Sequence, residues 1–338
     1  MSDDWRARVL GLATLPAEGS SVTRDGQALS MREGVVRASA PVSAAQSSTS
    51  DIFGFKWAKR DTFEREEVRA TMRTWLNERY GAVETLDLPT AAVVLDAGCG
   101  AGFSALEYFA PVLNAIRYIG ADISEAVDVA ADRFREHGTE TLFIQSDLGQ
   151  LPLQPASCDL IFSEGVLHHT DSTEQAFQRL VPLLRPGGVF AFYVYRRKGP
   201  IREFTDDYIR DRLQEMTPDQ AWEAMLPLTR LGKALGDLDI EVDVPEAVPL
   251  LDIPAGKVNL QRLFYWHVFK AYYRPDYSVD EMAHINFDWY APKNAHRHSE
   301  DEVRGWCRDA GLAIERVDVQ PSGITVVARK PAGAGGER

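Results

Sequence analysis

The run Val93-Val94-Leu95-Asp96-Ala97-Gly98-Cys99-Gly100-Ala101-Gly102-Phe103-Ser104 constrains this chain more than any other stretch. Three apolar residues end in an acid, glycines alternate, and a helical pattern begins at Ala105, Leu106, Tyr108 and Phe109. A short apolar run stopped by glycine reads as a buried parallel strand. The glycines permit a sharp turn and a close approach of a ligand to the main chain. The helix behind them aims its free N–H groups at that ligand. A dinucleotide loop needs G-x-G-x-x-G, with its last glycine three residues after the second. Here the glycines fall at 98, 100 and 102, and position 103 is Phe. Asp96 stands just before the turn, where a carboxylate repels a pyrophosphate and suits a cation.

From this turn onward strands and helices alternate. Strands are expected at Val93–Asp96, Tyr118–Asp122, Thr141–Gln145, Asp159–Ser163 and Val189–Tyr195. Ser124 and Asp171 open the intervening helices, the latter with Glu174 three residues on, a capping-box-like pair. Such alternation implies an α/β fold with a parallel sheet and helices on both faces. After strand five the alternation pauses. It resumes with the capping box Ser299–Glu302 and two strands, Leu312–Val319 and Ile324–Ala328, joined so tightly that they must be antiparallel neighbours. A helix with Val68, Met72, Trp75 and Leu76 on one face precedes the first strand and ends near Gly81.

Five parallel strands closed by a hairpin, with D-x-G-x-G-x-G after the first strand, resemble class I S-adenosylmethionine (SAM)-dependent methyltransferases, which have a Rossmann-like sheet. The likeness covers about 91–195 and 299–329. It implies that Asp96, Gly98, Gly100 and Gly102 face the methionyl part of SAM. It implies that Asp122, with Ile123 beside it, takes the ribose hydroxyls, and that Asp147 and Leu148 meet the adenine. Ser-Asp-Leu-Gly-Gln-Leu-Pro over 146–152 is similar to the ubiquinone and menaquinone methyltransferase branch. So is Ser163-Glu164-Gly165-Val166-Leu167-His168-His169, which puts Ser163 and Glu164 near SAM. His168, His169 and Tyr193 are candidate catalytic groups, histidine because it titrates near neutral pH. A structural helix-entry role is the alternative for the histidines.

Outside that core two aromatic regions need a surface. One is Phe53-Gly54-Phe55-Lys56-Trp57, which follows a stretch over 34–50 read as a loose arm. The other is an insert between strand five and the last helix, mostly helical, with Thr217–Gln220 and Ser278–Glu281 as capping signatures. Phe55, Trp57, Tyr195, Trp289 and Tyr290 are candidates for a lid or substrate pocket. Packing on the core, a second layer or a homodimer interface are the alternatives. The expected organisation is an arm or lid over 1–60, a SAM-binding core over 61–197, a helical substrate cap over 198–298, the rest of the core over 299–330 and a disordered tail over 331–338.

The net charge of −13 argues against a nucleic-acid partner, since phosphate neutralisation needs clustered Lys and Arg. Cys99, Cys158 and Cys307 lack metal or disulfide spacing, so no metal is expected and the thiols fit a cytoplasmic protein. No secretory leader and no membrane-spanning run are visible. The expected function is methyl transfer from SAM to a small-molecule acceptor. Two alternatives stay open: a SAM-consuming cyclase that makes azetidine-2-carboxylate and methylthioadenosine, and a non-catalytic SAM-binding protein.

Overall fold

The structure, a computed structural model, describes residues 4–38 and 41–332. A short helix α1 (Trp5–Val9) leads into strands β1 (Ser21–Arg24), β2 (Gln27–Arg32) and β3 (Val35–Ala38). Helices α2 (Ala44–Ala58) and α3 (Glu66–Tyr80) follow. The alternating region runs β4 (Val93–Ala97), α4 (Phe103–Tyr108), β5 (Arg117–Asp122), α5 (Ala126–Glu136), β6 (Thr141–Gln145), β7 (Cys158–Glu164), α6 (Thr173–Leu180) and β8 (Leu184–Tyr195). The insert holds α7 (Pro200–Leu213), α8 (Pro218–Asp237), the hairpin β9 (Glu241–Val244) and β10 (Gly256–Asn259), then α9 (Leu260–His267) and α10 (Val279–Tyr290). Helix α11 (Glu300–Asp309) and strands β11 (Ala313–Val319) and β12 (Gly323–Arg329) complete the core.

One described sheet has the order β1-β2-β3-β6-β5-β4-β7-β8-β12-β11. Neighbours from β3 through β8 pair in parallel, and β12 and β11 close the far edge antiparallel. The expected parallel sheet with its closing hairpin is present. At its other edge stands an addition: the stretch read as a loose arm over 34–50 instead supplies β3 and the first seven residues of α2. The reason lies in two turns. Asp25-Gly26 joins β1 to β2 and Glu33-Gly34 joins β2 to β3, with φ of 48°, 82°, 55° and 75°. Positive φ at both central residues suits a two-residue hairpin turn whose twist matches the strands. Two such hairpins carry the edge up to β6.

Alternation along the strands divides the core. Val94, Leu160 and Phe162 pack with residues of α3, α4 and α5, while Val93, Leu95 and Ile161 pack with α1, α6 and α11. Trp222, Phe287 and Trp289 of the insert join the first of these clusters, so the insert shares the core rather than owning one. Strand β4 lies between β5 and β7, so the chain leaves β4 in one direction and returns on its other side. Ligands bind at the carboxyl ends of the strands at such a switch point.

The three boxes Thr217–Gln220, Ser278–Glu281 and Ser299–Glu302 each form in both directions. Near Asp171 the cap falls one residue later, on Ser172. Asp171 instead accepts hydrogen bonds from Ser43 and Asn294, tying the start of α2 to the last part of the insert. The Gly- and Ala-rich tail lies from residue 333 outside the described residues. Ser299→Ala removes the donor–acceptor pair that starts α11, so urea unfolding should show a loss of about 1 kcal/mol; no loss would mean that packing alone sets the start of this helix.

Candidate functional site

Strand β4 ends in Asp96, which is buried and accepts a hydrogen bond from Tyr118 Oη at 2.7 Å. Burial pushes its carboxyl up to about 7, against the lowering hydrogen bond from Tyr118, with Asp122 and Glu164 raising it further. The turn after it is held from β5. The N–H groups of Gly98 and Cys99 both donate to the Ala121 carbonyl, at 2.7 and 3.0 Å. Gly100 N–H donates to Asp122 Oδ2 at 2.9 Å. The other Asp122 oxygen accepts from Ser124 N–H and Oγ, at 2.8 and 2.6 Å. Gly100 has a φ of 49°, and a Cβ there would lie 2.6 Å from the Trp57 indole nitrogen. The main chain is therefore bare where Trp57 lies across it.

A cavity of about 770 Å³ opens at this turn and runs beneath the insert. That volume is within the ~300–1,000 Å³ of small-molecule sites. Asp96, Gly98, Gly100, Asp122, Ile123, Asp147, Leu148 and Glu164 line one end of it. Asp147 gives one oxygen to Gly149 N–H at 2.8 Å, and burial raises its carboxyl. Glu164 is taken by Arg79 and by Tyr80 Oη. Two expected members stand elsewhere. Gly102, with φ of 69°, packs against Phe134 of α5 and seats the start of α4. Ser163 turns its hydroxyl to the Ala97 carbonyl, at 2.8 Å, and braces β7 on β4. Neither lines the cavity.

Helix α2 lies over the turn. Ser50 Oγ donates to the Ile123 carbonyl at 3.3 Å, and Gln46, Thr49, Phe53, Lys56 and Trp57 face the cavity. The next residues are pinned to one face of α10. Lys56 Nζ donates to Asp288 Oδ1 at 2.6 Å, Thr62 Oγ1 meets His284 Nδ1 at 2.7 Å, and Arg65 Nε donates to Glu281 at 2.6 Å. Positions 281, 284 and 288 share that face by helical spacing. Arm and insert thus meet across the cavity. Phe55 points the other way, into Trp222 and Phe287 of the insert. Tyr290 is fully buried, donates to Asp206 and accepts from Lys270 N–H. Both serve packing, whereas Trp57, Tyr195 and Trp289 line the cavity.

The histidine pair is split by its surroundings. His168 is fully buried, stacks on Tyr195 with ring centroids 3.6 Å apart, and does not reach the cavity. As a candidate base it is corrected by this geometry. His169 lines the cavity. Its Nδ1 lies 2.6 Å from the Asn294 carbonyl, which can only accept, so Nδ1 carries the hydrogen. The free lone pair is then on Nε2, a buried atom with no partner among the described residues. Burial lowers this imidazole to about 4, opposed by Asp288. Tyr193 also lines the cavity, and burial pushes its phenol up to about 12, so it keeps its proton at neutral pH. Asp288 is held below the usual carboxylate range by Lys56 and His169, against the effect of burial.

Residues 95–192, from within β4 to within β8, match the family model described as a methyltransferase domain. Over those residues the chain is similar to a methyltransferase domain. SAM is the methyl donor of such a domain. Among its relatives is a malonyl-[acyl-carrier protein] O-methyltransferase of Marinomonas sp. (strain MWYL1), 31% identical over 48% of this chain and 62% of that one. A trans-aconitate 2-methyltransferase of Variovorax paradoxus (strain S110) is 38% identical over 36% of this chain and 47% of that one. A tRNA (carboxymethyluridine(34)-5-O)-methyltransferase, ALKBH8 of Mus musculus, is 30% identical over 70% of this chain and 32% of that one. The chain thus spans less than two thirds of the length of these curated relatives. The last of them is named for a tRNA, so the acidic balance of this chain does not exclude a nucleic-acid acceptor.

Two groups in the cavity escaped the sequence reading. Gln46 Oε1 and Thr49 Oγ1 are buried without a partner among the described residues and line the cavity. Their signal was the helical spacing 46, 49, 53, 56, which small polar residues over 44–50 obscured. Among the described residues no group of three or more His, Cys, Asp or Glu could hold a metal ion.

The Asp96 carboxyl gives a pH prediction. Its folded value of about 7 lies above the ordinary value of about 4, so the folded state binds more protons between the two. Stability therefore falls as pH rises across that window. Asp96→Asn removes this share, and the drop in unfolding free energy from about pH 5 to about pH 7 should be smaller in the variant. An unchanged drop would show that Asp96 is already ionised at the lower pH.

Proposed function

We propose that this chain transfers the SAM methyl group to a small-molecule acceptor held under the insert. The carrying observation is one continuous cavity, lined at one end by the glycine turn and Asp122 and at the other by aromatic residues of the insert. Asp122 takes the ribose hydroxyls, Asp147 and Leu148 take the adenine, and Asp96 attracts the methionyl ammonium. Trp57 offers its ring to the sulfonium, a cation–π contact. The sulfonium is its own leaving group. The protein has to align acceptor, methyl carbon and sulfur and to keep water out. His169 Nε2, with its lone pair free, receives the acceptor's proton where the acceptor is protonated.

The bridges from Lys56, Thr62 and Arg65 to α10 support the reading of arm and insert as a joint lid. The placement in the ubiquinone and menaquinone branch rests on the Asp147–Pro152 and Ser163–His169 segments alone. The matches above give no support to the cyclase or the non-catalytic reading, and the space beyond the glycine turn suits a second substrate that a cyclase does not need. A cytoplasmic place is proposed with this function. It is supported by three free, buried cysteines, and no described helix is long and apolar enough to cross a membrane.

Asp122→Ala should weaken SAM binding by about 1–3 kcal/mol, the range for losing a charged hydrogen-bond partner. Equilibrium titration checks this, and wild type should bind SAM without competition from NAD. Tight NAD binding with no SAM binding would sink the proposal. In product analysis, methyl transfer yields S-adenosylhomocysteine only with an acceptor, whereas methylthioadenosine from SAM alone would restore the cyclase.

A further inference from the structure

The cavity lining carries both signs of charge, and the insert acids Asp276 and Glu281 in it are paired with Arg274 and Arg65. Asp96, Asp122 and Asp147 line the end at the glycine turn, while Lys198, Arg202, Arg262 and Lys270 line the end made by the insert and the start of α7. The nearby carboxylates are already committed. Asp206 pairs with Arg202, is fully buried, and also accepts from Trp289 Nε1 at 2.8 Å and Tyr290 Oη at 2.9 Å. It does not line the cavity. Asp288 gives one oxygen to Lys56 and the other to Tyr195 Oη, at 2.9 Å.

That leaves Lys198 and Lys270 without an ion-pair partner among the described residues. Lys198 Nζ is held by the carbonyls of Pro321 and Ser322, the latter at 2.7 Å. Lys270 is 8% exposed, and its ammonium has no hydrogen-bond or ion-pair partner among the described residues. Its Nζ lies 4.8 Å from the centroid of the Trp289 ring, and Lys198 Nζ lies 5.1 Å from the same ring. The Arg262 guanidinium makes one long hydrogen bond, 3.4 Å, to the Tyr273 carbonyl and lies over the Tyr265 ring. Buried cations without a counter-charge are costly, and the cost falls when an anion enters between them. Burial, with Arg202 and Lys56 nearby, lowers the Lys270 amine to about 7 against the pull of Asp288 and Asp206.

We propose that the acceptor carries an oxyanionic acid group, a carboxylate or a phosphate, seated by Lys270 and Lys198 against Trp289. Tyr265, Trp266 and Tyr272 line the same region and offer flat apolar walls to the body of the acceptor. Tyr195 has ring contacts with both Trp289 and His169, so the seat is one ring away from the free imidazole nitrogen. This inference rests on the methyl-transfer reading and names the chemical class of its acceptor. It also makes the far end of the cavity selective: a neutral molecule of the same shape leaves the buried Lys270 ammonium without a counter-charge.

The test uses the full chain saturated with S-adenosylhomocysteine. Benzoate, phenyl phosphate and benzamide are titrated as probes against wild type, Lys270→Met and Lys270→Arg. Expected is binding of at least one anionic probe about tenfold or more tighter than benzamide, the size of one retained charge pair. The preference should vanish in Lys270→Met and persist in Lys270→Arg, with the affinity for S-adenosylhomocysteine unchanged. Tighter benzoate or tighter phenyl phosphate tells carboxylate from phosphate. Equal or absent binding of the anionic probes and benzamide in wild type overturns the inference. A loss of S-adenosylhomocysteine affinity in Lys270→Met overturns it as well, because the lysine would then hold the cofactor's own carboxylate. Failure of wild type to bind S-adenosylhomocysteine is a distinct result and strikes the methyl-transfer reading itself.

Discussion

The functional end of this molecule depends on one carboxylate. Asp122 holds Gly100 N–H with one oxygen and Ser124 with the other, so the turn after β4 is fastened to the strand beside it. Charge-assisted bonds of this kind are stronger than neutral ones. With the turn fixed, Gly100 presents bare main chain and Trp57 can lie against it. A side chain at position 100 would move the indole, and with it the end of α2. The same oxygens are the ones that the methyl-transfer reading offers to a ribose, so the clamp that shapes the turn is also the proposed ligand contact.

From Trp57 the constraint passes to the insert. Lys56 reaches Asp288, Thr62 reaches His284 and Arg65 reaches Glu281, three links along one face of α10. A buried ion pair such as Lys56–Asp288 contributes little net stability, because desolvation offsets the attraction. What it does is fix a geometry: with either partner missing, the other is left as a buried charge. Arm and insert are therefore expected to keep one arrangement over the cavity. Under the insert Asp276, Glu281 and Asp288 are each paired to a cation, which leaves Lys198 and Lys270 for the anionic acceptor proposed above.

Much of this was legible from residue order. The strand–glycine–helix pattern at 93–106, the βα alternation and three capping boxes depend on local chemistry, and each stands where its residues put it. Asp96, Asp122 and Asp147 end consecutive strands and meet in one cavity for the same reason. The edge hairpins were missed although Asp25-Gly26 and Glu33-Gly34 were in plain view, because the strands beside them are only four to six residues long and mix polar with apolar residues. Phe55 and Tyr290 could not be separated from Trp57 and Trp289 by sequence, since adjacent helical residues differ by about 100° in direction and only packing decides which faces inward. Gln46, Thr49 and the lysine pair were invisible for a further reason: a polar side chain announces a site only when it is buried without a partner, and burial is a property of the fold.

The account stands or falls on where the cofactor lies. A crystal structure with S-adenosylhomocysteine bound measures this directly. The account predicts ribose hydroxyls on Asp122, adenine beside Leu148, sulfur facing the Trp57 side of the cavity, and the Lys56–Asp288 bridge intact, with the space by Trp289 and Lys270 left for the acceptor. A nucleoside lying at the Lys270 end, or a complex that forms only with α2 lifted from the turn, would contradict it.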